Sequence, residues 1–151
     1  MNVRMDIPKT APIPYKAMLG LSQAVEKCGL EHSLLELVKT RASQINGCAF
    51  CIAMHTTDAR KAGESEARLY LLDAWRETPL YSERERAALA WTEALTLITE
   101  GHASDADYEE ARRQFSDAEL ANLTMAIVTI NSWNRIAIAS RLLPVVDTGK
   151  N

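Results

Sequence analysis

Residues 41–55 read RASQINGCAFCIAMH, a stretch that decides the fold because a helix stop is followed at once by a helix start. Asn46-Gly47 is a typical helix-ending pair, and the residues before it carry a broad apolar face at helical spacing. The residues after it predict a new helix from Cys48 to about Lys61. We therefore expect two consecutive helices joined by a tight turn.

The rest of the chain also has helical composition. Glycine is scarce at six residues, and the stretches between the five prolines are rich in Ala, Leu, Glu and Arg, which are strong helix formers. Two Ser-x-x-Glu capping boxes, at residues 82–85 and 116–119, predict helix starts. The sequence thus predicts an all-α fold of about seven helices, near residues 15–27, 31–43, 48–61, 65–75, 82–99, 104–114 and 116–141.

We expect a single helical domain, because 151 residues with 47% hydrophobic content can bury an ordinary core. The predicted organisation is an N-terminal extended segment over residues 1–14, the domain over 15–144 and a C-terminal tail over 145–151. The last predicted helix is apolar nearly all round. That pattern favours burial on several sides, either at the centre of the domain or against a second copy, and we expect a homo-oligomer.

Charge and cysteine content limit the classes of function. The net charge of −3 gives no general attraction to nucleic acid or to an anionic membrane. No run of about 18 apolar residues exists, and the N-terminus lacks the apolar core of a signal peptide, so we expect a cytoplasmic protein without a membrane span. Cytoplasmic thiols are normally kept reduced, so a close cysteine pair there indicates catalysis or metal binding.

The strongest chemical signal is the C-x-x-C pair. Cys48 and Cys51 are i and i+3 at a helix start, where free backbone N–H groups and the helix dipole favour a thiolate. His55 follows Cys51 by four residues and so lies on the same helix face, positioned to take the thiol proton. Glu36, on the preceding predicted helix, is a candidate to orient His55 if the two helices pack antiparallel.

Several interpretations of this pair stay open on the residues alone. A zinc site from Cys48, Cys51, His55 and a fourth ligand is chemically possible, but the chain has no second C-x-x-C, C-x-x-H or H-x-x-x-H motif. Cysteines are also often buried without any chemistry. A further hypothesis is a redox-sensing or protein-interaction module, in which the pair switches contacts and turnover is negligible.

Polar and aromatic residues interrupt the last predicted helix, where residues 131–135 read NSWNR. Buried polar groups usually satisfy one another. We therefore expect local packing here and not substrate contact, with Trp133 in the core and Arg135 paired to an acid such as Glu85 or Glu93.

The spacing E-x11-C-x2-C-x3-H, which runs from Glu36 through Cys48 and Cys51 to His55, resembles the alkyl hydroperoxidase D (AhpD)-like branch of the carboxymuconolactone decarboxylase family. The similar stretches also include residues 41–51, 59–63, 83–95 and 131–135, so the resemblance covers nearly the whole chain. The decarboxylase branch lacks the C-x-x-C pair, so the cysteines argue against lactone decarboxylation.

This resemblance implies an all-helical fold that assembles as trimers or hexamers, and a thiol-dependent peroxidase or disulfide reductase activity on a hydroperoxide substrate. Glu36 and His55 would relay the proton, Cys51 would attack the peroxide, and Cys48 would resolve the product to a disulfide. No metal or organic cofactor is implied, and an external dithiol donor such as a lipoyl protein would re-reduce the pair. One departure is Phe50, because the best-studied member type has a His immediately before its second cysteine.

Overall fold

Ten helical segments and no strand make up residues 2–146, the part of the chain that this computed structural model describes. The predicted all-α fold is confirmed. The segments are α1 (Ile7–Thr10), α2 (Pro12–Glu26), α3 (His32–Asn46), α4 (Ala49–Lys61), α5 (Glu66–Tyr70), a 3-10 helix (Leu72–Glu77), α6 (Glu83–Thr96), α7 (Ile98–Gly101), α8 (Asp105–Arg112) and α9 (Asp117–Ser140).

The predicted number of about seven helices is wrong, because two predicted helices are divided and one short helix was not expected. The first division is at Leu71, which lies between α5 and the 3-10 helix. The second is at Leu97, whose ψ of 40° is not helical and separates α6 from α7. The additional helix is α1, in which the Asp6 side chain accepts a hydrogen bond from the Lys9 backbone N–H at 3.2 Å. Such a cap stabilises a single helical turn.

The prediction of an extended segment over residues 1–14 is wrong from Ile7 onward. α1 begins there, and Pro12 and Pro14 lie in the first turn of α2. Proline is tolerated in a first turn because those N–H groups have no partner within the helix. At this end, only residues 2–6 and Ala11, which separates α1 from α2, therefore lack regular structure. At the other end, residues 142–146 are not helical, and residues 147–151 of the predicted tail lie outside the described residues.

α3 is the most enclosed helix and packs against α4, α6 and α9. Nine of its fifteen residues are buried. Leu35 and Val38 join a core cluster shared with α6, α8 and α9, and Leu37 joins a second cluster around the 3-10 helix. The charged side chains of Glu36 and Lys39 are buried on this same helix. The centre of the fold thus carries ionisable groups that need internal partners.

α9 is less enclosed than its apolar sequence predicts. Nine of its residues are buried, but Met125, Val128 and Ile138 stay 43–46% exposed. Exposed apolar residues of this size are common at protein interfaces. Self-association therefore stays a prediction. Among the described residues, no helix combines the length and the apolar character needed to cross a lipid bilayer.

An amide cluster fixes the end of α3 to α9. Asn46 Nδ2 donates to the side-chain oxygens of Asn131 at 3.0 Å and Asn134 at 2.8 Å, and Asn134 Nδ2 donates to Ser43 Oγ at 3.0 Å. Asn134 and Ser43 are both completely buried. The polar residues of α9 therefore hold the residue that immediately precedes the α3–α4 turn.

The predicted partner of Arg135 is wrong. Its Nη1 donates to the backbone and side-chain oxygens of Asn131, at 2.8 and 3.0 Å, one helical turn earlier. Glu85 pairs with Arg68 of α5, and Glu93 accepts hydrogen bonds from α3 and the 3-10 helix. Both acids are thus engaged by groups outside α9.

The α3–α4 turn depends on Gly47. Its φ and ψ of 68° and 32° are left-handed, and the Cys48 N–H donates back to Ser43 O at 3.0 Å. For a residue with a Cβ, this conformation costs on the order of 1–2 kcal/mol. Gly47 thus ends α3 and lets Cys48 cap the next helix.

Replacing Gly47 by alanine tests this turn. An added Cβ would meet no atom within 4 Å, so backbone strain alone should lower the free energy of unfolding, by about 1–2 kcal/mol. Gly20→Ala is the matched control, because Gly20 also has open space but lies inside α2. That variant should gain about 0.5–1 kcal/mol. Urea unfolding measures both, and a Gly47→Ala protein as stable as its parent would contradict the role of the turn.

Candidate active site

The cysteine pair lies at the start of α4 and is covered by α9. Cys48 is the N-cap residue, and its Sγ accepts a hydrogen bond from the Cys51 backbone N–H at 3.3 Å. The two cysteines are joined by a disulfide, with their Cα atoms 5.4 Å apart. Both are almost completely buried, and Ala137 of α9 packs against them. The predicted juxtaposition of the two sulfurs on one helix turn is therefore present.

Glu36 and His55 meet across the α3–α4 pair. His55 Nδ1 lies 2.9 Å from Glu36 Oε2, and both side chains are buried. With Nδ1–H donated to the carboxylate, Nε2 is the ring nitrogen left to exchange a proton with another group. Cys51 lies one turn before His55 on α4, and both line the same cavity. The structure thus brings together all four residues that the sequence singled out.

Lys39 is a fifth member of the site that the sequence argument missed. Its Nζ lies 3.0 Å from Glu36 Oε1 and also pairs with Glu26 of α2. The residue is only 8% exposed. The available signal was a lysine one turn after Glu36, directly after the apolar residues Leu37 and Val38. A charge in such a position is buried and needs an acidic partner.

These contacts set the ionisation of the buried acid and base. Burial alone would raise the pKa of Glu36, but the hydrogen bond and charge of His55 and the charge of Lys39 outweigh it and hold this pKa below its ordinary value. Burial would lower the pKa of Lys39, but Glu26 and Glu36 outweigh it and raise this pKa. Carboxylate and ammonium are therefore both charged at neutral pH.

Two cavities flank the Glu36–His55 pair and share no lining residue. One, of about 640 Å³, is mainly apolar and is lined by Cys51, His55 and the ring of Phe50. The other, of about 320 Å³, is more polar and is lined by Glu36 and Arg68 among others. Of the two cysteines, only Cys51 lines either cavity. A ligand in the apolar cavity would thus meet Cys51.

The other candidate groups lie away from this site. Cys28 is a free, half-buried cysteine that packs against the main core cluster. His32 Nδ1 lies 3.7 Å from Glu26 Oε2 at an exposed position. Within residues 2–146, no three or more His, Cys, Asp and Glu side chains are arranged to hold a metal ion.

Comparison with known proteins gives a consistent set of relatives. The family model described as the carboxymuconolactone decarboxylase family matches residues 14–94. The uncharacterized protein YdfG of Bacillus subtilis is 42% identical over 139 residues, which cover 92% of this chain and 95% of YdfG. Sequence similarity therefore extends over almost the full length of both proteins.

Solved structures agree with this result. An Agrobacterium tumefaciens protein of unknown function, provisionally assigned as the antioxidant defence protein AhpD, superimposes with a TM-score of 0.94 and 44% identity, covering 97% of this chain and all of that one. The debrominase Bmp8 superimposes with a TM-score of 0.77 over 89% of this chain and 73% of its own, but at 19% identity. The second likeness shows the fold alone.

The buried charges predict how stability depends on pH. Because the pKa of Glu36 is lowered on folding, its stabilisation is present above the unfolded pKa of about 4.3 and is lost as pH falls through the folded pKa. The free energy of unfolding of the parent should therefore fall more steeply below pH 5 than that of Glu36→Gln. The total difference should be about 1.4 kcal/mol for each unit by which folding lowers the Glu36 pKa. Urea unfolding between pH 3 and 7 measures this slope.

Glu77→Gln is the control for that measurement, because Glu77 is an exposed carboxylate outside the site. Its pH profile should follow the parent. Identical acid slopes for the parent and Glu36→Gln would contradict the ionised, internally paired Glu36.

Proposed function

The chain belongs to the AhpD-like branch of the carboxymuconolactone decarboxylase family, and on that premise we propose that it is a thiol-dependent hydroperoxide reductase. The observation that carries the proposal is the buried Glu36–His55 hydrogen bond of 2.9 Å, one helical turn from a cysteine that faces a cavity. The antioxidant assignment of the Agrobacterium relative supports it. The likeness to a debrominase carries no weight for the reaction.

In the first step, the reduced enzyme oxidises Cys51. His55 takes the Cys51 thiol proton, and the thiolate attacks one oxygen of the hydroperoxide. A sulfur–oxygen bond forms, the O–O bond breaks, and the alkoxide leaves as an alcohol with the proton from His55. The cysteine is left as a sulfenic acid. Glu36 holds the imidazole in the tautomer that this transfer needs.

In the second step, Cys48 resolves the sulfenic acid. Its sulfur attacks Cys51 Sγ, the disulfide forms, and the displaced hydroxide leaves as water with the Cys48 thiol proton. Two thiols and one hydroperoxide thus give one disulfide, one alcohol and one water. The Cα separation of 5.4 Å lies within the usual range for disulfide-bonded cysteines, which supports this closure.

The cycle needs an external reductant. Two electrons return to the disulfide when a dithiol donor attacks it, exchanges through a mixed disulfide and leaves in its oxidised form. A lipoyl-bearing protein is the donor that the family suggests. No metal or organic cofactor takes part in either half of this proposed cycle. A homo-oligomer, with the exposed apolar residues of α9 at its interface, is part of the same proposal.

Thiol counting tests the chemistry directly. Reduced protein contains three thiols, and a small excess of hydroperoxide should leave one, Cys28, within minutes. Cys51→Ser should retain its thiols and lose all catalytic turnover, because the attacking sulfur is gone. Cys28→Ser is the matched control and should lose both remaining thiols at the parent rate.

The outcomes separate this proposal from its alternative. A Cys48–Cys51 pair that stays reduced over minutes would contradict the proposed peroxidase activity. A pair that oxidises but is not re-reduced by dihydrolipoamide, thioredoxin or glutathione, and whose oxidation changes the size of the assembly, would favour a redox-sensing module.

A further inference from the structure

Glu36 contacts His55 through only one of its two carboxylate oxygens. Its Oε2 lies 2.9 Å from His55 Nδ1, whereas its Oε1 lies 3.0 Å from Nζ of Lys39, one helical turn later on α3. All three side chains are buried. The carboxylate is therefore shared between the imidazole and a positive charge, and the two steps of the proposed reaction give that charge no task.

A buried carboxylate–imidazole pair without a cation tends to hold one additional proton, because burial disfavours its net negative charge. This proton can lie on Glu36, which then donates to His55 Nδ1 and leaves the ring hydrogen on Nε2. It can also convert His55 into an imidazolium. In both cases Nε2 carries a hydrogen, so it cannot accept the thiol proton of Cys51.

Lys39 supplies the charge that opposes this additional proton. With its ammonium beside Oε1, the set formed by Lys39, Glu36 and His55 has no net charge when Glu36 is ionised and the imidazole is neutral. A proton added to this set would bring a second positive charge into a buried position, which is unfavourable. The ammonium therefore favours the state in which Nε2 of His55 is free of hydrogen.

Glu26 of α2 holds Lys39 from the side of the surface, since it also pairs with Nζ. The Glu26 side chain is 42% exposed, whereas that of Glu36 is 4% exposed, so water screens the charge of Glu26 far more. Two further ionisable groups lie on this side: His32 Nδ1 is 3.7 Å from Glu26 Oε2 at an exposed position, and Asp6 caps α1. Glu26 therefore fixes the ammonium while Lys39 still acts on Glu36.

The charged groups on the polar side of the set have partners of their own. Arg68 lines the polar cavity together with Glu36, but it forms ion pairs with Glu64 and Glu85. Within residues 2–146, Lys39 is the only lysine or arginine that forms an ion pair with Glu36. Among the described residues, no second cation is thus in place to take over its effect.

We propose that Lys39 is a positioning residue of the reaction, whose ammonium keeps Glu36 ionised and thereby leaves Nε2 of His55 free to accept the Cys51 proton. Lys39 acts through Glu36 and His55 and does not itself transfer a proton. The inference rests on the proposed function for the reaction that it serves, but the state of the imidazole can be measured without a peroxide.

Nitrogen-15 NMR of the oxidised protein tests the state of the ring, because the disulfide removes both thiol protons of the site. At pH 7, the parent should show a neutral His55 ring with its hydrogen on Nδ1. In Lys39→Met the ring should instead carry a hydrogen on Nε2, either as the other tautomer or as an imidazolium. His55→Gln assigns the signals among the three histidines of the chain.

The pH dependence of Cys51 alkylation gives a second readout. In a protein with Cys28→Ser and Cys48→Ser, Cys51 is the sole thiol, and iodoacetamide reacts with its thiolate. Loss of a positive charge from the site should move the midpoint of this reaction to higher pH, by about 1 unit. At a pH below both midpoints, Lys39→Met should therefore be alkylated about tenfold more slowly than the parent.

Three further variants separate the charge of Lys39 from its packing. Lys39→Arg keeps the charge, so the ring state and the midpoint should stay close to those of the parent. Lys39→Gln removes the charge but keeps a hydrogen-bond donor for Glu36, and it should reproduce the changes even where Lys39→Met does not fold. Lys61→Met is the matched control, because the Lys61 side chain is 73% exposed at the end of α4, and it should leave both readouts unchanged.

The outcomes distinguish this role from the proposed function. A ring hydrogen on Nδ1 with an unshifted midpoint in Lys39→Met and Lys39→Gln would overturn the role of Lys39. A shift of equal size in Lys39→Arg would also overturn it, because packing and not charge would then be the cause. A ring state and midpoint that depend on Lys39, in a protein whose thiols no hydroperoxide oxidises, would refute the proposed function and leave the role of Lys39 standing.

Discussion

The hydrogen bond between Glu36 and His55 is the interaction on which the site depends. It forms only if α3 and α4 pack antiparallel with a fixed register, and the left-handed Gly47 turn sets that register. The amide cluster between α3 and α9 holds the residue before the turn. One reversal of the chain therefore determines three things together: the end of α3, the cap of α4 and the distance from carboxylate to imidazole.

Burying this pair in an apolar core has a cost that the fold offsets with further charges. An isolated carboxylate at 3% exposure would take up a proton. In Glu36, however, Lys39 contacts one carboxylate oxygen and His55 contacts the other. Glu26 in turn pairs with Lys39 and reaches the surface, being about 42% exposed. Loss of one member of such a buried set costs on the order of 3–5 kcal/mol. The hydrogen bond to Glu36 also fixes the orientation of the imidazole.

The two cavities give the two sides of the site different environments, one mainly apolar and one more polar. Cys51 and His55 open onto the apolar side, and Glu36 lines the polar side. The two cavities thus lie on different sides of one hydrogen bond. In the proposed reaction, this arrangement keeps the thiolate beside a largely apolar cavity, while the buried carboxylate that orients His55 borders the more polar one.

Local signals in the sequence were enough for the helices around the site. The Asn46-Gly47 stop, the i, i+3, i+4 spacing of the cysteines and His55, and the capping boxes at Ser82 and Ser116 all correspond to structure. The pairing of Lys39 with Glu26 could not be read in this way, because it depends on how α2 crosses α3. The apolar cavity was equally hidden, since its walls come from both ends of the chain. Proline misled at the N-terminus because one residue type serves both extended chain and helix starts.

The most direct test of the central claim asks which sulfur reacts first. Reduced Cys48→Ser and Cys51→Ser proteins are treated with hydroperoxide and a dione that traps sulfenic acid, and mass spectrometry locates the adduct. If the Glu36–His55 pair activates the cysteine that faces the cavity, the adduct forms at Cys51 in the Cys48→Ser protein, and Cys48 in the other variant stays unmodified on the same timescale. An adduct that forms at Cys48 and not at Cys51 would contradict the account.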